Sequence, residues 1–182
     1  MSFLEILEEQ CLIGFTGRVN ILKASNKQFL GIVSLLNGDI IRCEYKAATG
    51  KKTLFNVLIE NISQTEQQKF VVEPEVVESE NTDFKLDIHA FKIQSRHRYE
   101  RYLKSLKLTP PMNLRLIVNA EFILSGETIT ESEFDVLKVI SDYSKVADIY
   151  DMVPLYKYEV SEALVSLRQK KAIKVFQQLE KT

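Results

Sequence analysis

The residues that could do chemistry are few, and their spacing limits what each can do. His89 and His97 are the only histidines, eight positions apart. On a helix that is about two turns, or ~12 Å, too far for both to hold one metal ion. Both therefore read as solvated or edge-of-core side chains. Cys11 and Cys43 are also a single pair with no metal-ligand spacing, and two free thiols in a reducing cytoplasm is the simplest account. Gly14-Phe15-Thr16-Gly17 is too short for a phosphate-binding loop and follows no strand. The acidic pairs Glu8-Glu9 and Asp148 with Asp151 lie on amphipathic patterns whose polar face belongs to water. No Ser or Cys stands where a base and an orienting third group are foreseeable. The expectation is a protein without catalytic residues, metal or cofactor.

Charge placement carries a sharper signal. Residues 60–83 hold Glu60, Glu66, Glu73, Glu75, Glu78, Glu80 and Asp83 against Lys69, a balance of −6. Residues 84–107 hold Lys85, Lys92, Arg96, Arg98, Arg101, Lys104 and Lys107 against Asp87 and Glu100, a balance of +5. Within that basic stretch Arg96, Arg98, Tyr99, Arg101 and Tyr102 gather guanidinium and phenol groups, the types enriched at binding hot spots. Either the acidic segment folds beside the basic one and neutralises it, or the basic helix faces outward and docks an acidic partner through the arginine fork. Phosphate contacts would use the same arginines. An anionic-nucleotide sensor would too, although no nucleotide motif accompanies them.

The elements that must position these groups are legible from periodicity. Of the 182 residues, 45% are hydrophobic and 27% charged, with a net charge of −1, a normal globular balance for one domain or two small ones. No apolar run reaches the ~18–20 residues of a membrane span, and the glutamates near the start argue for a helix there rather than an export signal. Residues 3–13 form that helix. Three strands follow, at 18–23, 29–36 and 39–45, with Asn37-Gly38 as the tight turn between the second and third. A helix begins after Gly50, with Leu54, Val57 and Leu58 inward. Residues 70–77 return to strand character, demoted by Pro74 to an edge or bulged strand. Asp83 is a candidate cap for a long helix over 84–107, and Pro110-Pro111 closes it.

Beyond the prolines, residues 114–118 and 122–124 read as short strands or apolar packing segments. Thr130 and Glu133 form a capping-box pattern, and Phe134, Leu137 and Ile140 supply the buried face of the helix that follows, with Val136 and Val139 beside it. A short helix over 146–153 and a longer one over 157–171, with Val160, Leu164 and Leu167 inward, precede a strand at 173–176. Helices followed by a β segment make a small winged-helix-like unit. The expected class is thus α+β: residues 1–109 as a β-meander packed with helices, including the basic helix, and residues 110–182 as the winged-helix-like part.

The N-terminal part resembles the PATAN domain of bacterial signalling proteins. The matching pieces are Phe15-Thr16-Gly17-Arg18-Val19, Gly31-Ile32-Val33, Asn37-Gly38-Asp39-Ile40-Ile41, and Gly50 ahead of the helix at Leu54. The later segment from Val160 to Leu167, then Lys170-Lys171-Ala172-Ile173, is similar to the close of such chains, with Lys171-Ala172 where the family usually has glycine. The resemblance implies a cytoplasmic, non-enzymatic adaptor connected with receiver domains, small Ras-like GTPases or surface motility. It does not indicate an oligomeric state. The rival from another class is a transcriptional regulator that uses the C-terminal unit on DNA. Against it, a recognition helix reads bases through its N-terminal residues, and here that turn carries Glu159 and Glu162. Residues 108–182 also hold nine bases and eleven acids, whereas DNA-binding modules are usually basic.

Overall fold

The computed structural model describes residues 2–64, 67–77 and 82–176. Three acids of the 60–83 segment, Glu66, Glu78 and Glu80, lie outside the described residues. The architecture is α+β, with seven helices, a five-stranded antiparallel sheet and a separate two-stranded ladder among the described residues. The chain divides into two compact units, residues 1–99 and 100–182. That division lies ten residues ahead of the one anticipated at Pro110-Pro111.

The first unit opens with α1 (Phe3–Leu12), started by a capping box in which Ser2 and Glu5 satisfy each other's backbone N–H. Strands β1 (Gly17–Lys23), β2 (Phe29–Leu36), β3 (Asp39–Tyr45) and the two-residue β4 (Ala48–Thr49) run as a meander, and β5 (Gln68–Pro74) joins the far side of β1. The order is β4-β3-β2-β1-β5, so the strand that ends in Pro74 is an edge, as its proline requires. Asn37 and Gly38 both take positive φ (51° and 82°), which matches the right-handed twist of the hairpin. The preceding loop is tied to this turn: Asn37 N–H donates to Thr16 Oγ1 at 2.9 Å, and Gly38 N–H to the Phe15 carbonyl at 3.0 Å.

Gly31 serves a different need, because a Cβ there would overlap the Glu44 carbonyl oxygen and the Tyr45 backbone on the neighbouring strand. Gly17 begins β1, and Gly50 precedes α2 (Lys51–Ser63). Phe3, Leu7, Val19, Ile21, Val33, Leu35, Ile40, Cys43, Leu54, Val57 and Phe91 are fully buried in this unit's core. Ring pairs Phe3–Phe70 at 5.1 Å and Phe55–Phe91 at 5.2 Å join helices to sheet and to each other.

The basic helix is shorter than its sequence suggests. α3 spans Ile88–Ser105, and its first turn is capped by Asp87, whose Oδ1 accepts from the N–H groups of His89 and Ala90 at 2.9 Å. Asp83 does not cap it. Residues 83–86 are drawn to the sheet, where Asp83 and Phe84 N–H groups donate to the Ile41 carbonyl and Leu86 exchanges both hydrogen bonds with Ile40. A ready strand edge satisfies those backbone groups better than an extra helical turn would.

The second unit contains β6 (Leu116–Val118), α4 (Ala120–Ser125), α5 (Glu131–Asp142), α6 (Val146–Met152), α7 (Lys157–Gln169) and β7 (Ile173–Val175). β6 pairs antiparallel with β7, and Arg115 bridges to Lys145 ahead of α6. Residues 122–124 are helical: Asn119 accepts from the Phe122 and Ile123 N–H groups, and Gly126 closes the helix at φ 70°. α5 has the expected Thr130–Glu133 capping box, but Phe134 is 58% exposed. Three-residue spacing drifts ~60° per step round a helix. The buried face is therefore Glu133, Val136, Leu137 and Ile140, and Phe134 falls off it. Together with Ile149, Val153, Val160, Leu164, Leu167 and Ala172, these apolar residues form one continuous core.

Candidate functional site

The ~3.6 residues per helical turn decide how α3 distributes its cations. Arg96 and Tyr99 are one turn apart on the face that also carries Lys92 and Ser95. Arg98 and Arg101 lie roughly 140–200° away from Arg96, so the five-residue cluster does not form one surface.

The first face borders a groove of about 390 Å³ in the first unit. Its apolar floor comes from Leu4 on α1, Leu58 and Ile62 on α2 and Ile93 on α3, and Lys92, Arg96 and Tyr99 line its polar side. Ile93 is 72% exposed and Ile62 40%, so large aliphatic surface faces water beside an exposed arginine. Lys92 is held at 2.6 Å by Glu8 of α1. Ser95 also lines the groove; it is 5% exposed, and its Oγ has no hydrogen-bond partner among the described residues. A buried hydroxyl in that state is costly unless something completes it.

Arg98 and Arg101 serve the fold. Arg98 lies half-buried with its guanidinium 4.5 Å from the Phe55 ring centre. In the second unit, Arg101 pairs with Glu162 at 2.6 Å and Glu159 at 3.8 Å, and its guanidinium covers the Tyr158 ring at 4.7 Å. The hydrogen bond that Arg101 donates to Glu162 raises the arginine's pKa further, so the charge is permanent. The two glutamates that weigh against base reading by α7 thus bind this arginine. Tyr102 lines a separate cavity of the second unit.

The described acids of the 60–83 segment turn to the sheet. Glu60 holds Lys46 at 3.0 Å and the Tyr45 hydroxyl at 2.8 Å, Glu73 and Glu75 flank Arg18, and Asp83 approaches Arg42 at 3.8 Å. Near the start of the basic stretch Lys85 pairs with Asp39 at 2.9 Å.

The remaining chemistry-bearing residues occupy unremarkable places. His89 and His97 are exposed on α3. Cys11 and Cys43 are buried free thiols, and burial pushes each up to about 12, so neither is a thiolate at neutral pH. Among the described residues no group of three His, Cys, Asp or Glu is arranged to hold a metal, and no helix is long and apolar enough to cross a membrane.

The groove floor escaped sequence reasoning, though one signal was present. The apolar stripe of the basic stretch runs through Phe84, Ile88, Phe91, Tyr99, Tyr102 and Leu106, and Ile93 is out of phase with it. An exposed aliphatic residue becomes informative when it joins a contiguous apolar patch, as Ile93 does with Leu4, Leu58 and Ile62. Neither a protein-family model, nor a curated protein, nor a solved structure matches this chain.

Proposed function

We propose that the protein is a non-enzymatic signalling adaptor that binds an acidic face of a partner signalling protein, the class that includes receiver domains and small Ras-like GTPases. The observation that carries this reading is the groove between α1, α2 and α3, with solvent-facing Ile93 and Ile62 beside Arg96 and above the uncompleted Ser95 hydroxyl. An amphipathic acidic segment would bury its apolar residues on Leu4, Leu58 and Ile93, bring carboxylates to Arg96, and supply Ser95 with its missing hydrogen bond. The resemblance to the PATAN domain agrees with this reading and implies an adaptor of bacterial signalling in the cytoplasm. The order of helices and strands in residues 131–175 supports a winged-helix-like reading of the second unit.

The experiment is affinity capture from native lysate by the wild type, Ile93→Asp and Arg96→Glu, with captured proteins identified and re-tested in purified form. The reading expects an acidic receiver domain or GTPase to bind the wild type and to bind each variant at least about tenfold more weakly. Equal binding by all three would remove the groove as the docking site. Salt-released DNA as the sole capture would transfer the function to the second unit and a transcriptional role.

A further inference from the structure

The second unit contains a cavity of about 300 Å³ that the adaptor reading does not use. Its polar wall is a chain of hydroxyls. Ser161 is 1% exposed, and its Oγ donates to the Lys157 carbonyl at 3.1 Å. Ser161 Oγ also shares a 2.6 Å hydrogen bond with the hydroxyl of Tyr150, itself 8% exposed, and lies 3.5 Å from Thr109 Oγ1. Thr109 Oγ1 donates to the Ser105 carbonyl at 3.1 Å, and Ser105 Oγ to the Tyr102 carbonyl at 2.8 Å. Burial lifts the Tyr150 phenol above its ordinary value, so it stays a neutral hydroxyl.

Ser161, Thr109 and Ser105 each have a backbone carbonyl to donate to. In that arrangement lone pairs of Tyr150, Thr109 and Ser105 are left for a hydrogen-bond donor. Asp151, exposed at the mouth, adds a negative charge beside them, and Lys157 adds a positive one. Among the described residues neither of these two charged heads has an ion-pair partner. Leu106 and Met112, 53% and 45% exposed, complete the lining with Ala147 as the apolar part. The volume sits at the small end of ligand sites, which run roughly 300–1,000 Å³.

We propose that this cavity binds a free α-amino acid with an apolar side chain. The ammonium group meets Asp151 and the lone pairs of Tyr150 and Thr109, the carboxylate meets Lys157, and the side chain covers Leu106, Met112 and Ala147. The adaptor would then carry a small-molecule input of its own.

The test is calorimetric titration of the full chain with L-leucine, L-methionine and L-phenylalanine, alongside two leucine analogues: 4-methylpentanoic acid, which lacks the ammonium group, and 3-methylbutylamine, which lacks the carboxylate. At least one amino acid is expected to saturate the protein below about 10 mM, with each leucine analogue at least about tenfold weaker than L-leucine. Asp151→Asn and Lys157→Met change exposed side chains and leave the core intact, so both variants fold. Each is expected to weaken the amino acid at least about tenfold. Absence of binding by all three amino acids, analogue binding equal to that of L-leucine, or unchanged affinity in both variants would overturn the proposal. Because the site lies wholly within residues 100–182, its failure leaves the groove of the first unit untouched.

Discussion

Glu133 shows how one side chain can hold two helices. It caps its own helix through Thr130, accepts from Ser166 Oγ at 2.6 Å, and pairs with Lys170 at 2.8 Å, while only 3% exposed. Burial pulls its pKa up, but the hydrogen bonds from Lys170, Ser166 and Thr130 outweigh it and leave the carboxyl at about 2. A carboxyl held below its unfolded value stabilises the fold above the unfolded pKa, and that contribution fades as pH falls. The wild type should therefore lose stability between about pH 4.5 and pH 2. Glu133→Ala should cost ~3 kcal/mol at neutral pH and flatten the acid limb, as read by urea denaturation across pH. Gly31 is set by steric fit alone. Gly31→Ala would force the β2–β3 pairing apart against the Glu44 carbonyl, at a cost of ~1–3 kcal/mol in the same assay.

At the scale of elements, most of the chain was legible because its signals were local. Strands β1, β2, β3 and β5 of the large sheet, the Asn37-Gly38 turn, the capping box at Thr130 and the inward positions of α7 all follow from periodicity and turn chemistry. What failed depended on partners distant in sequence. Asp83 looks like a cap until Ile40 and Ile41 offer residues 83–86 a strand to pair with. Phe134 fits a three-residue repeat, but the position of α7 selects the face through Glu133 and Ile140 instead. The end of α7 adds a case in which a left-handed residue has a measurable consequence. Lys171 adopts φ 60°, a conformation that glycine takes without strain, and the Ala172 N–H closes the helix on the Leu167 carbonyl at 2.8 Å. A left-handed non-glycine residue costs ~1–2 kcal/mol, part of which glycine returns through its more flexible unfolded state. Lys171→Gly should raise stability by about 0.5–1 kcal/mol, seen as a higher Tm in thermal denaturation.

At the scale of the whole molecule, the candidate site was only half visible. The sequence marks residues 84–107 as basic and isolates five arginines and tyrosines, but helix phase and tertiary partners sort them. Arg98 and Arg101 stack on Phe55 and Tyr158 within their own units, and Arg96 and Tyr99 border the groove. The groove itself needs α1, α2 and α3 at once, and no local pattern encodes that meeting. Its mixed character predicts a mixed response to salt: raising ionic strength should weaken the complex through Arg96 and Lys92 without abolishing it, because the aliphatic floor is insensitive to screening. The most direct measurement is in-cell photocrosslinking from an unnatural side chain at position 93, with position 29 as an equally accessible control on β2, where Phe29 is 59% exposed. The adaptor account predicts that position 93 alone crosslinks to an acidic signalling protein and that Arg96→Glu abolishes the product. Equal products from both positions, or a product at position 93 unaffected by Arg96→Glu, would contradict it.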